Sequence, residues 1–179
     1  MKEITILDKT FVESISETNL QARIADLGRE LNRDYAGKDP LVVSVLNGAV
    51  LFTADLLRHF EFPHELQFIR LSSYHGGMES TGQIMPLLDL RGDLSGRDLL
   101  ILEDIVDTGN TLAWLRQHLL SRGAASVKMA TLLFKHEVFK LDQAPEYFCF
   151  RIPNEFVVGY GLDYAERGRQ LRSIYKLKG

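Results

Sequence analysis

Three nearly uninterrupted apolar runs, "LVVSVL" (41–46), "DLLILE" (98–103) and "SVKMATLLF" (126–134), limit what this chain can fold into. A strand that is apolar along its length needs cover on both faces, as in a sheet held between helices. The segments between the runs have helical character. From Ser16, the residues Leu20, Ile24, Leu27 and Leu31 recur at helical spacing until Asp39-Pro40 closes the segment. "AVLFTADLLRHF" follows the first run, and "TLAWLRQHLLSRG" joins the other two, with Gly123 as its expected stop. "ELQFIRLSSY" reads as a further strand and "ITIL" as a short one near the start. "YFCF", "FVVGYG" and "RSIYKL" are shorter strand-like pieces in the last third. Strands alternating with helices predict an α/β fold with a mainly parallel sheet flanked by helices. A ligand then belongs at the carboxyl ends of the strands, where the polar loops fall. No linker or repeat divides residues 1–179, so a single domain is expected.

Composition excludes several classes. The formal net charge of −3 argues against a nucleic-acid binder. Cys149 is the only cysteine, so an intramolecular disulfide and a Cys-rich zinc site are both ruled out. The opening "MKEITILDKTF" carries acids where a signal peptide needs an apolar stretch. "LVVSVLNGAVLF" is too short to span a bilayer and is broken by Asn47-Gly48. A cytoplasmic protein without a membrane partner is expected.

The segment "LLILEDIVDTGNT" (99–111) carries the chemistry. Glu103 and Asp104 end an apolar strand, Asp107 follows, and Thr108, Gly109, Asn110 and Thr111 lead into a helix. Backbone N–H groups at a helix N-terminus bind phosphate, and Gly109 lets the backbone approach it closely. Capping of the helix by Asp107 or Thr108 would account for one of these residues. It would leave Glu103 and Asp104 without a partner cation. The G-x-x-x-x-G-K-[ST] and G-x-G-x-x-G nucleotide loops are both absent.

Four aliphatic residues, two acids, two aliphatics and Asp-Thr-Gly-x-Thr closely resemble the phosphoribosyl-diphosphate motif of type I phosphoribosyltransferases. The resemblance implies that residues 107–111 cradle the 5′-phosphate. It implies that Glu103 and Asp104 face the ribose hydroxyls and a hydrated Mg²⁺, and it adds a small hood made from the chain ends. Carboxylates there would stabilise the oxocarbenium-like ribose of the transition state. "LNGAVLFTADLL" looks like the diphosphate loop, with Leu46, Asn47 and Gly48 at the turn. Hypoxanthine-guanine members commonly carry Lys where this chain has Asn47. "SSYHGGMESTGQI" is similar to their mobile lid, with Ser73-Tyr74 among its fixed points and Gly76, Gly77 and Gly82 for flexibility.

On the base side, Lys135 matches the residue that donates to a purine 6-oxo group. An ammonium only donates, so it accepts a 6-oxopurine and opposes the 6-amino group of adenine. In "IPNEFVVGYGLDYAERGRQLRSIYKL", Phe156 resembles the aromatic that stacks on the purine, with the Val157 backbone reading the base edge. Asp163 matches a ligand of a second Mg²⁺, and Arg169 a diphosphate ligand. Asp107 would take the ring proton that the attacking purine loses. His118 and His136 are weaker candidates for that role. The implied reaction forms IMP or GMP from phosphoribosyl diphosphate and hypoxanthine or guanine, in a homodimer or homotetramer. A regulator of the same fold that senses phosphoribosyl diphosphate and binds nucleic acid, or a transferase preferring xanthine, stays open as an alternative.

Overall fold

A computed structural model describes residues 2–73 and 84–179. In chain order the elements are β1 (Glu3–Ile6), β2 (Lys9–Ile15), α1 (Glu17–Asp34), β3 (Leu41–Leu46), α2 (Val50–Leu57), β4 (Glu65–Ser73) and β5 (Ile84–Leu88). There follow β6 (Asp98–Val106), α3 (Asn110–Ser121), β7 (Ser126–Phe134), β8 (Tyr147–Arg151), β9 (Val157–Val158) and β10 (Ile174–Leu177). The larger sheet has the order β5-β4-β3-β6-β7-β8. All its pairings are parallel except that of the edge strand β5 with β4.

The apolar runs divide by alternation, as period-2 geometry demands. Leu100 and Leu102 of β6 pack with α1 and α2 on one face, whereas Leu99 and Ile101 pack with α3 on the other. Ser16 caps α1, its hydroxyl accepting from the Asn19 N–H at 3.3 Å, and Leu20, Ile24, Leu27 and Leu31 are all buried. The helix stops at Asp34, short of Asp39-Pro40. α3 ends in a Schellman motif at Gly123, whose φ is +91°. The Gly123 N–H donates to the Leu120 carbonyl and the Ala124 N–H to the Leu119 carbonyl. Leu112, Leu115 and Leu119 anchor α3 to the sheet. Burial of each stabilises by about 1.5–3 kcal/mol, which fixes the start of this helix relative to the end of β6.

The second sheet, β1-β2-β10-β9, is antiparallel and joins the two ends of the chain around Phe11, Val158 and Tyr175. This is the expected hood. One expectation needs correction. "FVVGYG" holds only a two-residue strand, because Gly159, Tyr160 and Gly161 have φ of +99°, +50° and +100°. No strand accommodates such angles. β2 and β5 are strands that the sequence pattern did not announce. Among the described residues no helix is long and apolar enough to cross a membrane.

Candidate active site

β6 and α3 meet at the segment Asp107–Gly109. Gly109 is the N-cap, left-handed at φ +94°, and no side chain caps the helix. Capping therefore explains neither Asp107 nor Thr108. The N–H groups of the first turn have no intrahelical partner and remain available to an anion. A methyl at Gly109 would lie 2.7 Å from Phe139 and 2.9 Å from Leu141, so the 139–141 segment packs directly beneath the loop. A cavity of about 370 Å³ opens above it, lined by Leu46, Glu103, Asp104 and the whole stretch 107–111. Val45, Leu71 and Ile84 form its apolar side.

Glu103 is only 7% exposed, and Asp104 is partly buried beside it. Burial pushes the Glu103 carboxyl well above the usual carboxylate range, and the neighbouring Asp104 charge adds to this. Burial also raises Asp104. Its hydrogen bond with Glu103, the Ile105 N–H at 2.8 Å and the nearby Arg169 charge pull in the opposite direction. Among the described residues neither acid forms a salt bridge. A buried and a partly buried carboxyl side by side, with no salt bridge among the described residues, suit a hard divalent ion that draws its remaining ligands from water and substrate oxygens. Among the described residues no three acidic, His or Cys side chains converge into a ready-made metal cluster.

The turn after β3 abuts the acids. The Leu46–Asn47 peptide is cis, and a methyl at Gly48 would lie 1.6 Å from Asp104 Oδ2. On the other side, a methyl at Gly161 would lie 1.9 Å from the Gly48 carbonyl oxygen. Arg169 donates to the Gly161 carbonyl at 2.8 Å and pairs with Asp163 at 2.7 Å and Glu166 at 3.0 Å. The turn Leu46–Gly48, Asp104, Asp163 and Arg169 are thus drawn into one neighbourhood.

Beside the cavity-lining Asp107, Lys135 Nζ donates to Asp107 Oδ2 at 3.0 Å and lies 3.5 Å from Asn154 Oδ1. Lys135 is buried, whereas the Asp107 side chain is half-exposed. Their meeting follows from strand register: Val106 lies opposite Phe134 in the parallel β6–β7 pair, so the next residues emerge side by side. Phe156 is 46% exposed, and Val157 pairs with Lys176 in the hood sheet. Ser73 ends β4, while Tyr74 and the rest of the expected lid lie outside the described residues. His118 is a structural residue: it stacks on Trp114 and bonds Asp89 at 3.0 Å. Asn154 and Gly161 were not anticipated. The Gly-x-Gly of "VGYGLD" was the available signal for Gly161.

Residues 12–165 match the phosphoribosyl transferase domain family, which defines the class of protein that this fold represents. The hypoxanthine-guanine phosphoribosyltransferase of Streptococcus agalactiae is 47% identical over 163 residues, covering 91% of each chain. That of Streptococcus pneumoniae is also 47% identical, covering 92% of this chain and 91% of its own. The crystal structure of a Bacillus anthracis hypoxanthine-guanine phosphoribosyltransferase superposes with a TM-score of 0.86 at 38% identity, covering 93% of this chain and 98% of that one. The chain belongs to the hypoxanthine-guanine phosphoribosyltransferase family.

Proposed function

We propose that the protein carries out purine salvage by moving the 5-phosphoribosyl group from phosphoribosyl diphosphate to hypoxanthine or guanine. The products are IMP or GMP and diphosphate. The observation that carries this reading is the Lys135–Asp107 pair, 3.0 Å apart, whose Asp107 lines the cavity. It sets a donor-only cation beside a proton acceptor, which is what a 6-oxopurine with an ionisable ring N–H requires.

The 5′-phosphate lies against the first N–H groups of α3, with Thr108 and Thr111 adding hydroxyls and Asn110 lining the rim. Glu103 and Asp104 face the ribose hydroxyls. Leu46, Asn47 and Gly48 offer backbone groups to the diphosphate, and Arg169 adds a guanidinium. Phe156 stacks on the purine, Lys135 donates to its 6-oxo group, and the Val157 backbone reads its edge. The purine nitrogen bonds to C1 of the ribose as the bond from C1 to diphosphate breaks, and the electron pair leaves with diphosphate. Asp107 accepts the ring proton. Glu103 and Asp104, and separately Asp163, would hold Mg²⁺, which would neutralise charge on the diphosphate and coordinate the ribose hydroxyls. Ser73 and Tyr74 belong to a lid that excludes water.

The cytoplasm is the proposed setting, in keeping with one buried free thiol at Cys149. A homodimer or homotetramer is the proposed assembly. The exposed Leu66, Phe68, Met85, Leu87 and Leu88 of β4 and β5 support it, since another copy of the chain would bury them. The deciding experiment is a product assay with hypoxanthine, guanine, xanthine, adenine and uracil, each with phosphoribosyl diphosphate, with and without Mg²⁺. Nucleotide and diphosphate from the first two bases alone, dependent on the metal, is the expected result. Turnover of adenine, or none of either 6-oxopurine, would overturn the proposal.

A further inference from the structure

Phe156 raises a positional problem that its own contacts do not solve. Its carbonyl accepts from the Leu177 N–H at 2.9 Å, which ties its backbone to β10, but nearly half of the residue is exposed. A loosely held phenyl ring loses rotational freedom when a planar ligand stacks on it, and that loss weakens binding. Two aromatic neighbours limit the freedom beforehand. Phe11 lies 6.3 Å away and tilted by 40°, and Tyr164 meets the ring edge-on at 5.9 Å and 86°. An edge-to-face contact sets the plane of a ring as well as its position, because a positive edge meets a negative face.

Tyr164 is itself held from several sides. Its hydroxyl donates to Asp8 Oδ1 at 2.8 Å, and its ring leans on Phe11 at 6.2 Å. Lys9 Nζ lies 5.5 Å from the ring centroid. Its backbone is closed by two hydrogen bonds with Arg167, of 2.9 and 3.1 Å. Asp8 sits in the β1–β2 turn, in a part of the chain that contributes no residue to the cavity.

We infer that Tyr164 is a positioning residue for the purine: braced by Asp8, it holds the Phe156 ring in the plane on which the base stacks. The inference rests on the reading of Phe156 as the stacking surface. It extends the base site to the N-terminal turn, and it separates purine affinity from phosphoribosyl diphosphate affinity, because Tyr164 does not line the cavity that residues 107–111 line.

The test is steady-state kinetics of Phe156→Leu, Tyr164→Leu, Tyr164→Phe and Asp8→Ala, with KM measured for each substrate. Phe156→Leu should raise KM for hypoxanthine at least about fivefold. Tyr164→Leu should raise it by about two- to tenfold while KM for phosphoribosyl diphosphate and kcat stay near the parent values. Tyr164→Phe keeps the ring edge and should restore most of the affinity. Asp8→Ala, on an exposed turn, should show a smaller rise confined to the purine. If Phe156→Leu leaves purine KM unchanged, the stacking surface is wrongly assigned and the inference falls with it. If Phe156→Leu raises purine KM but Tyr164→Leu and Asp8→Ala do not, or if they raise both KM values alike, the inference alone is overturned.

Discussion

Replacing Gly161 with Ala would set a methyl 1.9 Å from the Gly48 carbonyl oxygen. An ordinary carbon–oxygen contact is about 3.3 Å, so one of the two turns must retreat by roughly 1.4 Å. Neither partner is a pliable side chain tip. Gly48 is backbone pressed against Asp104, and Gly161 has φ +100°, where an alanine is strained even in open space. Strain of about 1–3 kcal/mol and overpacking of about 1–3 kcal/mol together predict a loss of about 2–6 kcal/mol. In a chain of this size that lowers Tm by roughly 4–24 °C. Gly92→Ala is the control, since Gly92 has φ +80° with nothing within 4 Å and incurs the strain alone. Displacement of the diphosphate turn by about 1 Å should also lower kcat/KM for phosphoribosyl diphosphate by up to about a hundredfold, with no such loss in the control. Thermal melts and initial rates on both variants provide the assay. Equal losses of stability, with full activity in Gly161→Ala, would refute the claim that the Gly161 turn positions the Leu46–Gly48 turn.

Lys135→Ala should cost about 1.5–3 kcal/mol of transition-state binding with hypoxanthine and guanine, roughly a ten- to hundredfold fall in kcat/KM, and unchanged kinetics would remove Lys135 from the site. Asp107→Asn should lower kcat by roughly 10²–10⁴-fold with little change in KM for phosphoribosyl diphosphate, and near-full kcat would assign the proton to another group. Glu103→Gln tests the acidic pair through pH. The Glu103 carboxyl is raised above its ordinary value of 4.5 by burial, so its contribution to stability is fully present below about that pH and is lost as pH rises. In metal-free buffer the parent protein should therefore lose stability relative to Glu103→Gln as pH rises from 4 to 8, and a constant difference in Tm would refute the burial argument.

Legibility in the sequence followed burial. β3, β6 and β7 are covered on both faces, so their apolar runs identified them. β2 buries only Phe11 completely, and "KTFVESI" lacks a clean alternation. β5 is an edge strand with exposed Met85, Leu87 and Leu88, and it carries Pro86, which cannot donate to a ladder. Neither pattern separates a strand from a loop. The strand-to-helix loop of residues 107–111 was readable because its residues are contiguous. The Lys135–Asp107 pair was not, since it depends on the register of two strands, and register is set by packing between segments distant in sequence. The Asp8–Tyr164 bond was hidden for the same reason, because it closes only when both ends of the chain share one sheet.

That shared sheet also sets an order of events during synthesis. The 107–111 loop lies between β6 and α3, neighbours in sequence, and it can take shape as soon as the core strands have left the ribosome. The hood cannot. Ile174 pairs with Ile15, and Tyr175 pairs with both Glu13 and Val158, so the first hairpin waits without its central partner until β10 has been translated. Pairing between such remote segments is slow because a long loop must close first. A nascent chain thus completes the 107–111 loop before it can close the sheet that ties Phe156 to β10.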